Sequence, residues 1–380
     1  MMPEHPHCGA WSSAAKTYVY NTFAAPQDAS DETIGDDGKQ VKDWIAGVNI
    51  YEDFALENHG QFHVDYIFAC YRFHIQGAAL YWLTGRPLPR AFHHHVRDVY
   101  ERVMLRCMNE DRFFVYVSDN DWRRYHNWTE SCLLHAYLGL MEQHPLAYAL
   151  EAQALGYAIR YWRSFPQGFS YDNPYVCGKA WTSRIADAVL LHVTCPHRRP
   201  QPLADEAVTS HLRGTSELES AQLLTHYGSD GSFRSYGRGR GSIWVRFVAP
   251  RTDSWMLLPT GLNFGASVDG KPLFQGGRVH SSRGDDWFWV VRHDENGDAA
   301  EAFVSLPDQF VVFLERLPAV ILGDTARVEN AVTIEKPHCR LVVYFNGGVA
   351  AQEPGSRTWQ ESDEAGESVV SGGWVNLQDQ

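Results

Sequence analysis

The hydrophobic pattern changes period once along the chain, at the proline-rich and charged stretch CPHRRPQPLADEA that begins at Cys195. Before it, apolar residues recur at helical three- and four-residue spacing; after it, they come in short β-branched or aromatic runs. One layer of one kind cannot bury both patterns. The pattern therefore predicts an α+β chain, with a helical domain over 1–195, a linker over 196–215 and an antiparallel β domain over 216–380. A length of 380 residues agrees, because single hydrophobic cores stop growing near about 250–300 residues.

The longest helical signal, FHVDYIFACYRFHIQGAALYWLTG, starts at Phe62 and stops at Gly85 before Arg-Pro-Leu-Pro. Further helices fit 90–108, 127–143, 145–165 and 179–193, and the short Gly/Pro connections between them imply antiparallel neighbours. In the second half, strands fit 242–249, 255–261, 286–293, 310–317 and 339–345. Asp-Gly within 268–271 and Asn-Gly within 295–298 supply the positive φ of tight hairpins, and many short strands at this spacing favour an antiparallel sandwich.

Composition narrows the function. The net charge of −13, with no dense Lys/Arg run, argues against nucleic acid as a partner. Aromatics make up 13% of residues, enough both for large cores and for surfaces that stack on sugar rings. Seven dispersed cysteines without a Cys-x-x-Cys pair fit a reduced compartment and exclude a zinc ribbon. The first residues show neither a basic n-region nor an apolar h-region, and no apolar run reaches the roughly 18 residues of a membrane span. The expected location is cytoplasmic for the chain as written, or secreted or periplasmic if its N-terminus is truncated; self-association into a homo-oligomer stays open.

Two segments concentrate chemistry. The first, ENHGQFHVDY, places Glu57, Asn58, His59, His63, Asp65 and Tyr66 at the entrance of the long helix, more polarity than a helix start requires. An amide and a histidine beside a glycine can hold and deprotonate a substrate, whereas the plainer reading makes Asn58 the helix cap and His59 a surface residue. If the helix already runs at residue 59, then His59, His63 and Tyr66 share a face. A His-x-x-x-His metal reading lacks a third ligand, so no metal is assigned. The second segment, DNDWRRYHNWTE over 119–130, offers arginine forks for a carboxylate in Arg123 and Arg124, acid/base groups in Tyr125 and His126, and the flat face of Trp122. It reads either as a ligand loop or as a solvated connector. His93, His94 and His95 also stand together, but consecutive helical residues point about 100° apart and cannot converge on one ion without help, so they read as surface or partly buried histidines.

The residues at 57–66, followed by the aromatic-rich helix, the Tyr-bearing segment and the strand-rich second half, resemble the heparinase II/III-like and alginate lyase group of polysaccharide lyases. The quotable motif of that resemblance is Asn58-His59-Gly60. It implies a helical (α/α) toroid, here partial, followed by an antiparallel β-sandwich. It also implies β-elimination on an acidic, uronate-containing polysaccharide or oligosaccharide without a cofactor. Asn58 would neutralise the uronate carboxylate, and His59 and a tyrosine would serve as base and acid. Tyr125 is the preferred tyrosine and Tyr116 the alternative. Glu57, His63, Tyr66, Trp122, Arg123, Arg124 and His126 would line the substrate site. Two other classes compete: a glycoside hydrolase on the same scaffold, using two of Glu57, Asp65, Asp119, Asp121 and Glu130, and a carbohydrate-binding protein without catalysis.

Overall fold

A computed structural model describes residues 4–58, 61–108, 112, 114, 117, 128–164, 178–195, 197–228, 233–238, 243–248, 261–263, 267–268, 271–272, 279–293, 299–305, 310–316, 332–334, 341–344, 355–361, 364–370 and 374–377. The chain is a mixture of helices and sheets, with helices before residue 213 and, apart from one hairpin at 57–62, strands after it. The helices are α1 (Cys8–Thr22), α2 (Val64–Leu83), α3 (Val96–Arg102), α4 (Trp128–Met141), α5 (Pro145–Ser164), α6 (Gly178–Thr194) and α7 (Asp205–Leu212).

The periodic segments become helices because their apolar residues share a face. In α2 the buried positions are Val64, Ile67, Phe68, Tyr71, His74, Ile75, Ala78, Ala79 and Tyr81, the three- and four-residue steps of one helical stripe. Gly85 takes a positive φ of 64° and ends the helix before Pro87. α4 is buried nearly all round and packs against both α5 and α6, while α2 packs against α6.

Segment 90–108 departs from the expected continuous helix. It forms a 3-10 turn at Arg90–His93, then α3, then a second 3-10 turn at Met104–Cys107. The break lies at His95, whose φ of 52° is left-handed and interrupts the α-helical ladder. Two further helices, α1 and α7, form where no helix is expected from periodicity. α7 lies within 196–215, and its Val208 and Leu212 are buried in the main core.

The larger sheet has seven strands in the order Trp374–Leu377, Leu341–Tyr344, Gly261–Asn263, Ile243–Val248, Phe233–Arg238, Leu223–Tyr227 and Gly214–Leu218, all antiparallel. A five-stranded sheet runs Val279–Arg283, Phe288–His293, Ala299–Ser305, Phe310–Arg316 and Val332–Ile334, antiparallel except for its last, parallel pairing. The strands expected at 242–249, 286–293, 310–317 and 339–345 all appear in these sheets; most of 255–261 lies outside the described residues. One buried cluster joins α2, α3, α4 and α5 to Leu212, Leu218, Leu223, Tyr227 and Phe233, so helices and the first strands share a core.

Candidate functional site

The segment ENHGQFHVDY does not enter the helix as one piece. Glu57–Asn58 and Gln61–Phe62 pair antiparallel, with Glu57 opposite Phe62 and Asn58 opposite Gln61, and α2 begins only at Val64. This corrects two expectations. The helix cap is His63, five residues beyond Asn58, so the Asn58 carboxamide is not spent on capping. The helix does not run at residue 59, the condition on which His59, His63 and Tyr66 would share a face; His59 itself lies, with Gly60, outside the described residues.

The remaining groups are held from several sides. Asn58 is half-buried and Glu57 exposed, with the Tyr51 hydroxyl donating to Glu57 Oε2 at 2.9 Å. That bond to a carboxylate raises the Tyr51 pKa, since it favours the protonated phenol. His63 is 1% exposed; its backbone N–H donates to Leu56 O at 3.2 Å, and its ring meets the Tyr66 ring edge-on at 4.4 Å between centroids. His63 at the helix cap and Tyr66 in the first turn are thus brought together. Asp65 sits in the first turn of α2, where a carboxylate complements the helix dipole.

Tyr116, Asp119, Asp121, Trp122, Arg123, Arg124, Tyr125 and His126 lie outside the described residues. The helix they lead into, α4, is anchored by an ion pair that periodicity did not reveal. Glu130 Oε1 lies 3.6 Å from Arg184 Nε of α6, both side chains buried, and the Arg184 guanidinium stands 5.9 Å over the Phe68 ring of α2. Asp187, one turn along α6 from Arg184, is raised by burial against the opposing pull of Arg184 and Arg72. These contacts fasten the helix that follows Asn58 to the helix that follows the arginine- and tyrosine-bearing segment. Glu130 is accordingly occupied by a cation, which weakens it as one of two facing hydrolytic carboxylates.

A second cluster was not expected. His93 Nδ1 contacts Glu142 Oε1 at 2.7 Å, but the left-handed turn at His95 swings its neighbours together: His94 Nε2 lies 3.1 Å from Asp28 Oδ2 and His95 Nε2 lies 2.8 Å from Asp28 Oδ1. The expectation that these histidines diverge assumed a helix that the chain does not form here. Burial alone would lower the His95 pKa; hydrogen bonds to Asp28 and Asp98 outweigh it and raise it to about 9. The same bonds from His94 and His95 hold the Asp28 carboxyl well below the usual range despite its burial.

Among the described residues no helix is long and apolar enough to cross a membrane. In comparisons with known proteins, no family model, no curated protein and no solved structure matches the chain.

Proposed function

We propose that the chain is a polysaccharide lyase that cleaves a uronate-containing polysaccharide by β-elimination. The observation that carries this reading is the placement of Asn58: it is fixed in register against Gln61, half-buried, and released from helix capping. A carboxamide so placed can hydrogen-bond a uronate carboxylate and stabilise the enolate-like charge that develops when the C5 proton leaves. His59 then acts as base or carboxylate partner. A tyrosine, Tyr125 by preference and Tyr116 otherwise, passes a proton to the departing O4 as the C4–O4 bond breaks and a C4=C5 double bond forms. Glu57, His63, Tyr66, Trp122, Arg123, Arg124 and His126 complete the substrate site in this reading, and no cofactor takes part. The helices form part of an (α/α) toroid and the sheets pack as a sandwich; the buried bond between His226 of the larger sheet and Ser305 of the five-stranded sheet, 2.8 Å, supports the latter.

The test is ultraviolet absorbance of the unsaturated uronide product across a panel of acidic polysaccharides. Activity should appear with the unmodified chain and fall by about a hundredfold or more in Asn58→Ala, the size of effect seen when a transition-state hydrogen-bond donor is removed. Reducing ends released without new absorbance would instead indicate hydrolysis, and binding without turnover a carbohydrate-binding protein; either result overturns the lyase reading.

A further inference from the structure

We propose that Asp28, His94 and His95 form a Zn2+ site with one coordination position left to water. The three ligand atoms, one carboxylate oxygen and two imidazole nitrogens, all lie within 4.8 Å of one another. His94 Nε2 sits 3.1 Å from Asp28 Oδ2 and His95 Nε2 2.8 Å from Asp28 Oδ1, so the two imidazoles flank the carboxylate. Zinc bonds of about 2.0–2.1 Å place neighbouring ligand atoms of a tetrahedron about 3.3 Å apart, a spacing that side-chain rotation can reach from donors already within 4.8 Å of one another. Two imidazoles and a carboxylate are a donor set that suits this borderline-soft ion, and three protein ligands leave the fourth position open.

The surroundings distinguish this cluster from a chance contact. Asp28 is 1% exposed, and its Oδ2 also accepts the Ala25 N–H at 2.7 Å, which orients the carboxylate. The far nitrogen of the His95 ring, Nδ1, faces Asp98 Oδ2 at 3.1 Å, the carboxylate–histidine arrangement that fixes ring orientation and basicity in metal ligands. Tyr20 meets the His94 ring edge-on at 5.2 Å and Phe54 meets His95 at 5.0 Å, so aromatic side chains flank the site. The left-handed backbone of His95, which favours glycine, brings adjacent histidines onto one carboxylate 67 positions away. On binding, the ion takes the place of the protons that His94 Nε2 and His95 Nε2 present to Asp28; both pass to solvent, while His95 keeps its Nδ1–H toward Asp98 and His94 carries its remaining proton on Nδ1. Zinc at this point ties the 3-10 turn Pro26–Ser30 to the start of α3.

The experiment titrates Zn2+ into the full chain after chelator treatment, with a chromophoric chelator as competitor, and records the visible spectrum after Co2+ substitution. A single equivalent should bind, raise Tm, and give the intense absorption of a four-coordinate cobalt site. His94→Gln and His95→Gln should each abolish stoichiometric binding, and Asp98→Asn should weaken it by about 10–100-fold. His93→Gln, which alters only the contact with Glu142, should leave affinity unchanged. Absence of stoichiometric binding to the unmodified chain overturns the proposal, as does wild-type affinity in His94→Gln and His95→Gln. Should those variants fail to fold, the unmodified chain's stoichiometry and cobalt spectrum decide alone.

Discussion

At the residue scale, the buried histidines of the helical region carry a pH dependence whose sign follows from their bonds. His135 is fully buried, and its Nε2 lies 3.0 Å from the Arg112 carbonyl, which can only accept; Nε2 therefore carries the proton, and Nδ1 accepts from the Tyr100 hydroxyl at 2.7 Å. Burial outweighs the Arg112 contact and lowers the His135 pKa from its ordinary 6.5 to about 4. In the unfolded chain the ring protonates near pH 6.5, so the folded state gains nothing from neutral His135 below the folded pKa and its full benefit above the unfolded one. The contribution, on the order of 3 kcal/mol, is present above about pH 6.5 and lost as pH falls through about 4. Glutamine offers a donor and an acceptor without a titrating proton. Denaturant unfolding of His135→Gln between about pH 7 and pH 4 should therefore show a shallower loss of stability than the unmodified chain. His74, also lowered to about 4, titrates in parallel, so the slope flattens rather than vanishes. An unchanged slope would refute the assignment. Nothing in the sequence around His135 marks it as different from any other histidine; its partners lie 35 and 23 residues away, on Tyr100 and Arg112.

At the element scale, legibility tracked how local each determinant is. α2, α5 and α6 were readable because their own apolar spacing defines a buried stripe, and α4 because a long apolar run is buried nearly all round. Segment 90–108 reads as one helix in the sequence because the left-handed residue at its break, His95, carries no mark in the local period and its bonding partner Asp28 lies far outside any local window. Asn58 and His63 were visible as chemistry, but the hairpin that separates them from the helix was not, since a two-residue strand has no period. Arg184 was missed for the same reason: it pairs with Glu130, a residue on a different helix. That pair carries its own prediction. Removing one partner leaves the other's charge buried, at a cost of about 3–5 kcal/mol, whereas removing both costs less than the sum. Arg184→Met and Glu130→Gln should each lower the denaturant midpoint sharply, and the double variant should recover part of the loss. Strict additivity would mean that the two side chains do not act as a pair. If the lyase reading holds, the single variants should also lose activity through displacement of α4, with the double variant partly restored.

At the scale of the whole molecule, the change of hydrophobic period located the passage from helices to strands, but it could not show how closely the two halves meet. Arg112 Nη1 donates to Tyr227 OH at 2.7 Å, and Ser220 donates through N–H and Oγ to Asp53 at 3.0 Å and 2.6 Å. The backbones also approach closely at Gly237, in strand Phe233–Arg238, where a methyl group would run into the carbonyl oxygen of Val117. Glycine is required there by another backbone rather than by an unusual φ. Gly237→Ala must push Val117 away from the sheet or bend the strand, and overpacking of this kind costs about 1–3 kcal/mol. Gly156 on the exposed side of α5 is the matched control, because a methyl there meets nothing within 4 Å. Gly156→Ala should stabilise the chain by about 0.5–1 kcal/mol through helix propensity. Since the helices and the first strands share a core, the loss in Gly237→Ala should appear as one shifted transition, with far-ultraviolet circular dichroism and tryptophan fluorescence coincident. Two separated transitions, with only the strand-rich part shifted, would show that the halves unfold independently and that the contact at Gly237 does not couple them.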